Sequence, residues 1–223
     1  MTPSKLYTYW RSTAAYRVRI ALNLKGVEVE HIPVHLVQDG GQQHSPSYVA
    51  LNPSHLVPTL VLDDGTPLTQ SMAIIDYLDR TIPEPAFLPD DPIERTKILA
   101  AAQVIASDIH PINNSRVAGY LKDKFSTSPT EITNWMRHWI IKGFDSLIQL
   151  IEHDTPFAFG KTPSVADICL VPQIYNARRW KLDFAPYGRL LEIEKNCLAL
   201  KAFSDAHPDV QYDAETNIEG KIT

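Results

Sequence analysis

The chain has 223 residues, with 21 lysines and arginines against 26 aspartates and glutamates, and a formal net charge of −5. This length suits one large or two modest domains, and the acidic balance gives no electrostatic footprint for nucleic acid. No apolar run is long enough to cross a membrane, and the N-terminus lacks a signal-peptide core. Two cysteines, Cys169 and Cys197, outside any C-x-x-C pattern and eight histidines without metal-ligand spacing predict no metal site and a reducing compartment. We therefore expect a soluble, cytoplasmic protein.

The first part of the chain alternates strand and helix patterns. In chain order, the patterns predict a strand over residues 5–9, a helix over 14–25, a strand over 28–36, a short helix over 45–52, strands over 57–62 and 66–68, and a helix over 70–81. The turn at residues 63–65, Asp-Asp-Gly, predicts a hairpin between the last two strands. The order βαβαββα predicts an α/β domain with a mixed four-stranded sheet, in which helical crossovers join parallel strands and the hairpin adds an antiparallel edge.

The second part of the chain is helical. Residues 82–92 contain four prolines, which cannot continue a helix and predict an interdomain linker at 83–92. Helices are then predicted over residues 93–109, 130–153, 164–180 and 190–205. The chain therefore divides into an α/β domain at 1–82, the linker, and an all-α domain at 93–223.

The start of the first predicted helix carries two hydroxyls, Ser12 and Thr13, and three nearby arginines, Arg11, Arg17 and Arg19. A strand that runs into such a helix start can bind an anion or lower the pKa of a thiol held there. The simpler interpretation is a helix cap, with a contribution of about 1 kcal/mol. Arg17 and Arg19 are two residues apart and cannot share a helix face, and for Arg19 we favour an ion pair with acids of the helical domain.

Two later motifs have the same ambiguity. Pro58 begins a strand pattern, and a cis bond before it would turn the backbone of Val57 toward a ligand, although base rates favour an ordinary trans proline. Ser71 is a natural N-cap with the amide of Gln70 beside it, so a carboxylate or the cap alone explains this motif.

In the helical domain, a polar cluster at residues 108–116 surrounds Pro111, where it indicates either a cleft or a helix exit. Arg178 and Arg179 end a predicted helix, where the helix dipole explains at least one of them and carboxylate binding is the alternative.

Together the motifs resemble the cytosolic glutathione transferases over the whole chain. The closer resemblance is to the zeta class, the maleylacetoacetate isomerases, since R-S-T-A-A-Y-R-V-R-I-A-L at residues 11–22 is similar to that class's S-S-C-x-W-R-V-R-I-A-L. Further matches are D-G-G-Q-Q at 39–43, A-L-N-P at 50–53, D-I-C-L-V-P-Q at 167–173 and N-A-x-R at 176–179.

The resemblance implies a thioredoxin-like N-terminal domain, a helical domain that contributes the substrate pocket, glutathione as cofactor and a homodimer. The residues that would contact glutathione are Ser12, Thr13, Ala14, Arg17, Gln43, Val57, Pro58, Gln70, Ser71 and Asn114. In this interpretation the bond before Pro58 is cis, and Gln70 and Ser71 hold the γ-glutamyl carboxylate.

One position departs from the class. The family's cysteine is Ala14 here, so the protein supplies no thiol in this turn, and the sulfur must come from glutathione. We expect Ser12 to be the chief thiolate donor and Thr13 the second. The dicarboxylate substrate would meet Arg11, Arg116 and Arg179, and His110 would orient it or stabilise developing charge.

The implied reaction is the isomerisation of maleylacetoacetate to fumarylacetoacetate, a step in tyrosine and phenylalanine catabolism. Maleylpyruvate isomerisation in aromatic degradation is the nearest alternative, because both substrates are cis-enedioyl dicarboxylates. A general glutathione transferase would need an apolar cleft, which three arginines do not favour. A non-catalytic interaction module of the same fold would be expected to lose the glutathione-holding residues, which are present.

Overall fold

The computed structural model describes residues 4–214, which form two compact units: residues 4–85 with 200–214, and residues 86–199. The strands are β1 (Lys5–Thr8), β2 (Glu30–Pro33), β3 (Thr59–Val61) and β4 (Pro67–Thr69). The α-helices are α1 (Thr13–Leu24), α2 (Pro46–Val49), α3 (Ser71–Thr81), α4 (Pro92–Gln103), α5 (Ser115–Phe125), α6 (Pro129–Leu150), α7 (Val165–Arg179), α8 (Gly188–Leu198) and α9 (Lys201–Ser204). Within residues 4–214, no helix is both long and apolar enough to span a membrane.

The first unit contains the predicted four-stranded mixed sheet, in the order β2-β1-β3-β4. β1 and β2 are parallel and are joined through α1, and β3 and β4 form the predicted hairpin. The prediction that helical crossovers join parallel strands is wrong for α2, because β3 is antiparallel to β1. The connection through α2 starts and ends at the edge where β1 finishes, so this segment does not cross back along the sheet.

Helices α1 and α3 pack together in this unit. Their buried apolar positions recur at helical spacing, as the sequence pattern predicts, and join Leu6 and Leu60 of the sheet in the core. Gly26 follows α1 with φ of 66°, a left-handed conformation that glycine adopts at little cost and that ends the helix.

The C-terminal segment (residues 200–214) also belongs to the first unit. The Tyr16 hydroxyl donates to the carbonyl of Phe203 at 3.5 Å, and Arg19 Nε donates to the carbonyl of Ala206 at 3.1 Å. The predicted domain boundaries had assigned this segment to the helical domain. The predicted helix over 190–205 is two helices, α8 and α9, and only α8 lies in the second unit.

The second unit is helical, and its boundary, between residues 85 and 86, falls inside the predicted linker. α4 packs on α7 and continues into a π-helical turn at Val104–Ile109, where the N–H of His110 donates to the carbonyl of Ile105 at 2.9 Å. The sequence did not predict α5, which packs on α6 and contains no fully buried residue.

The start of α7 forms a capping box. Ser164 Oγ accepts from the backbone of Ala166, while the Asp167 carboxylate accepts from the N–H and the hydroxyl of Ser164 at 2.8 Å each. Complete burial raises the pKa of Asp167 from its usual value. This carboxylate therefore belongs to the fold of the second unit rather than to its chemistry.

Candidate active site

The start of α1 presents a hydroxyl with a donor to spare. Ser12 is the N-cap, and its Oγ accepts a hydrogen bond from the N–H of Ala15 at 3.2 Å. A hydroxyl has two acceptor sites and one donor, so capping leaves the O–H proton available. The N–H of Ala14, at the second helical position, has no acceptor within residues 4–214. Ser12 and Ala14 can therefore direct donors at one anion, and the capping interpretation and the thiolate interpretation are compatible.

Thr13 and Arg17 lie on the buried side of the same helix. Arg17 is 1% exposed, and its Nη1 donates to Ser71 Oγ at 3.4 Å. This contact connects α1 to the start of α3, the second predicted anion site. Arg17 adds a buried positive charge beside two helix N-termini, which all favour anions.

The other two arginines of this region have different surroundings. Arg19 is buried and donates to Thr8 Oγ1 at 3.1 Å and to the carbonyls of Tyr9 at 3.4 Å and Trp10 at 3.0 Å, besides that of Ala206. The preferred ion pair with acids of the helical domain is therefore not its main role, because Arg19 fastens backbone carbonyls of its own unit. The guanidinium of Arg11 lies 5.0 Å from the centre of the Trp10 ring, in a cation–π contact.

Val57 presents an unused strand edge. Its bond to Pro58 is cis, as the family resemblance implies and base rates did not. Pairing of β3 begins only at Thr59, and neither the N–H nor the C=O of Val57 makes a hydrogen bond within the described part of the chain. These two groups can pair with an extended peptide as an additional strand would.

The residues that hold this edge in place were missed as functional residues by the sequence interpretation. Asn52, which is 1% exposed, donates through Nδ2 to the carbonyl of Leu56 at 2.7 Å and to Thr59 Oγ1 at 3.0 Å. The Tyr48 hydroxyl donates to the same carbonyl of Leu56 and contacts the same Thr59 hydroxyl. The only sequence signal was the asparagine of the A-L-N-P motif, and its burial in the structure explains its role, because a buried amide needs hydrogen-bond partners.

The start of α3 differs from the prediction by one residue. Gln70, with φ of 68°, is the N-cap, and Ser71 is the first helical residue rather than the cap itself. The side chain of Gln70 makes no hydrogen bond to the start of α3, so the first-turn N–H groups of α3 lack a side-chain cap. Gln43, between β2 and α2, donates to the carbonyl of Leu36 at 3.3 Å, while its buried Oε1 has no hydrogen-bond partner in residues 4–214.

The second unit holds the remaining predicted residues. Asn114 is the N-cap of α5, and its side chain accepts from the N–H of Arg116 at 3.0 Å. The exposed guanidinium of Arg116 has no ion pair within the described residues, and His110 directly follows the π-helical turn.

At the end of α7, Arg178 pairs with both carboxylate oxygens of Glu194, which raises the pKa of the guanidinium. Its neighbour Arg179 is exposed.

The cysteines offer no alternative nucleophile. Cys169 and Cys197 are both buried, and burial together with the nearby charges of Asp167 and Glu194 raises the pKa of the Cys197 thiol far above its ordinary value. Among the described residues, no three His, Cys, Asp or Glu side chains are grouped as metal ligands would be.

The first unit combines a thioredoxin-like sheet with a hydroxyl at the start of α1, an open backbone edge at Val57 and an α3 without a side-chain cap. This combination is typical of the first domain of a glutathione S-transferase. A family model described as "Glutathione S-transferase, N-terminal domain" matches residues 11–81. The chain belongs to the glutathione S-transferase family.

Within the family, similar proteins are named maleylacetoacetate or maleylpyruvate isomerases, and one of them is described as zeta class. A probable maleylacetoacetate isomerase from Vibrio cholerae is 48% identical, over 94% of this chain and 97% of that protein. The holo structure of a maleylpyruvate isomerase, a bacterial zeta-class glutathione transferase, is 40% identical with a TM-score of 0.89, over 94% of this chain and 99% of that one. A maleylacetoacetate isomerase from Methylobacterium extorquens, with bound malonate and glutathione, is 38% identical with a TM-score of 0.90, over 95% and 100%. The predicted zeta-class resemblance and the predicted fold are confirmed.

Proposed function

We propose that the protein catalyses the glutathione-dependent cis–trans isomerisation of maleylacetoacetate to fumarylacetoacetate. The observation that carries the proposal is the open backbone edge of Val57, whose N–H and C=O lack partners within residues 4–214. The uncapped start of α3 and the unsatisfied Oε1 of Gln43 add an anion site and an acceptor. These groups fit a tripeptide with a carboxylate at each end, and they fit an apolar ligand poorly.

The residues that would hold glutathione follow from these groups. Val57, after the cis bond to Pro58, would pair with the cysteinyl backbone, and the helix start at Gln70 and Ser71 would receive the γ-glutamyl carboxylate. Ser12, Thr13, Ala14 and Arg17 would surround the sulfur end, with Gln43 and Asn114 as further contacts, as the family resemblance implies.

The chemistry requires a thiolate at neutral pH. Bound glutathione supplies a nucleophilic sulfur whose reversible addition makes the conjugated double bond single, permits rotation, and leaves the cofactor unchanged. A free thiol has a pKa of about 8.5, and the O–H of Ser12 together with the N–H of Ala14 would lower it. The protein has no thiol at Ala14, so these donors act on the sulfur of the cofactor alone.

The substrate has two carboxylates, and we expect arginines to bind them. Arg116 has no ion pair in the described part of the chain, and Arg179 is exposed beside the paired Arg178. Arg11 is the third candidate, although its contact with Trp10 must be kept or exchanged when the substrate binds. His110 would orient the substrate or stabilise the charge that develops on its carbonyl oxygen.

Two adjacent arginines provide the test. We expect Arg179→Ala to raise KM for maleylacetoacetate strongly and to leave glutathione affinity intact. Arg178→Ala should lower stability through loss of the Glu194 pair and leave KM unchanged. Unchanged substrate kinetics in Arg179→Ala, or isomerisation by the wild type without glutathione, would contradict the proposal.

Maleylpyruvate is the second candidate substrate, because a similar structure is a maleylpyruvate isomerase. Parallel assays of both substrates, each with and without glutathione, decide between them, and an apolar electrophile tests general transferase activity. We also propose that the protein is a homodimer, which light scattering of the purified chain would test, and that it is cytoplasmic. The proposed domain boundaries are 1–82, 83–92 and 93–223, except that the C-terminal segment belongs with the first unit.

A further inference from the structure

The C-terminal segment (residues 200–214) contacts the turn that leads into the candidate active site. This turn, residues 9–12, connects β1 to α1 and ends at Ser12. The backbone N–H of Trp10 donates to Asp213 Oδ2 at 3.0 Å, a contact between residues 203 positions apart. Ala214 packs against the apolar cluster that contains Trp10 and Val57. The last described residues of the chain thus lie directly against the turn.

Other hydrogen bonds hold the backbone carbonyls of the turn. Arg19 donates to the carbonyls of Tyr9 and Trp10, while Ser12 N–H donates to the carbonyl of Tyr9 at 3.0 Å. Arg19 also donates to the carbonyl of Ala206 in the C-terminal segment. The guanidinium of Arg19 therefore fixes the carbonyls of Tyr9 and Trp10, and the Asp213 carboxylate fixes the N–H of Trp10.

We propose that Asp213 is a positioning residue, which holds the backbone of Trp10 so that the hydroxyl of Ser12 and the N–H of Ala14 point at the glutathione sulfur. This inference rests on the proposed function for its kinetic consequence. Asp213 acts through the backbone and touches no reacting atom. Its effect depends on an acceptor oxygen at this place, because a hydrogen bond fixes direction as well as distance.

The position of the acceptor and its negative charge have separable consequences. Asp213→Asn keeps an acceptor oxygen and removes the charge, whereas Asp213→Ala removes both. Tyr212→Phe is the matched control, because its hydroxyl donates to the carbonyl of His31 at 2.9 Å and so fastens the same segment without contacting the turn. Tyr212 is exposed and Asp213 partly exposed, so all three variants should fold.

The first measurement is amide hydrogen exchange over residues 9–12 without glutathione. The second is the separation of KM for glutathione from kcat, with the pH profile of kcat. For Asp213→Ala we expect faster exchange of the Trp10 amide and about tenfold lower kcat/KM for glutathione, the effect of losing one hydrogen bond. Asp213→Asn should recover most of both quantities, and Tyr212→Phe should resemble the wild type.

Two results would overturn the inference. One is wild-type exchange and kinetics in Asp213→Ala. The other is equal impairment of Asp213→Asn and Asp213→Ala, which would assign the effect to charge. A wild-type protein that does not bind glutathione would overturn the proposed function instead, and the exchange measurement would still test the contact.

Discussion

The side-chain amide of Asn52 donates to the backbone carbonyl of Leu56 at 2.7 Å, one residue before the open edge of Val57. The same amide reaches Thr59 Oγ1, the first residue of β3, so one buried side chain bridges both ends of the bend that contains Pro58. Asn52 also accepts from the N–H of Ser54 at 3.0 Å. The direction of the Val57 backbone is therefore set by hydrogen bonds outside the sheet.

Replacement of Asn52 by alanine should weaken both folding and glutathione binding. The lost amide leaves Leu56 and Thr59 with the Tyr48 hydroxyl only, and a buried polar group that loses its partner costs about 1–3 kcal/mol. We expect a lower free energy of unfolding by that amount and weaker glutathione binding in titration calorimetry. Asn23→Ala is the control, because its exposed amide donates to the carbonyl of Ala202 far from this bend. Equal glutathione affinity in both variants would contradict the assigned role of Asn52.

Ser12 combines a cap and a proposed donor, and two substitutions separate them. Alanine costs about 1 kcal/mol at an N-cap, whereas glycine costs only a few tenths. Both variants remove the hydroxyl, so we expect both to lose isomerase activity and to require higher pH for half-maximal kcat, while Ser12→Gly keeps near wild-type thermal stability. Activity that follows stability instead, with Ser12→Gly fully active, would show that Ser12 is only a cap.

The local patterns in the first unit predict its elements well, because strands and helices there bury one face and alternate accordingly. α5 was not predicted, and its lack of any fully buried residue explains why its apolar periodicity was a weak signal. The contact between Trp10 and Asp213 joins residues 203 positions apart, so no local pattern encodes it. Among the site residues, Ser12 and the cis bond of Pro58 became predictable only through the family resemblance, since capping and a trans bond explained each motif alone.

The absence of a reactive protein thiol can be tested directly. Cys169 and Cys197 are buried, and the raised pKa of Cys197 keeps its thiol protonated at neutral pH. We expect the native chain without glutathione to react with a thiol reagent only after denaturation, when both cysteines should titrate. Ala14→Cys should add one fast-reacting equivalent in the native state, because this position follows the start of α1. A fast-reacting thiol in the wild type would contradict the assignment of all nucleophilic sulfur to the cofactor.

His31 should make the stability of the first unit depend on pH. Burial lowers the pKa of His31, the positive charge of Arg19 lowers it further, and Asp213 opposes both by raising it. The folded chain therefore takes up the proton at lower pH than the unfolded chain, whose histidine has a pKa of about 6.5. Above that pH both states are neutral and the stability is fully present; as pH falls through this value, the unfolded state gains the proton first and the free energy of unfolding decreases.

Thermal unfolding between neutral and mildly acidic pH measures this effect. We expect His31→Gln to lose less of its melting temperature on acidification than the wild type, since glutamine cannot take up the proton. The backbone carbonyl that accepts from Tyr212 remains in this variant, so the C-terminal segment keeps that contact. His153→Gln, at an exposed position of the second unit, is the control and should keep the wild-type slope. A steeper loss of stability in His31→Gln than in the wild type would reverse the sign and show that protonated His31 is stabilised by Asp213 in the folded protein.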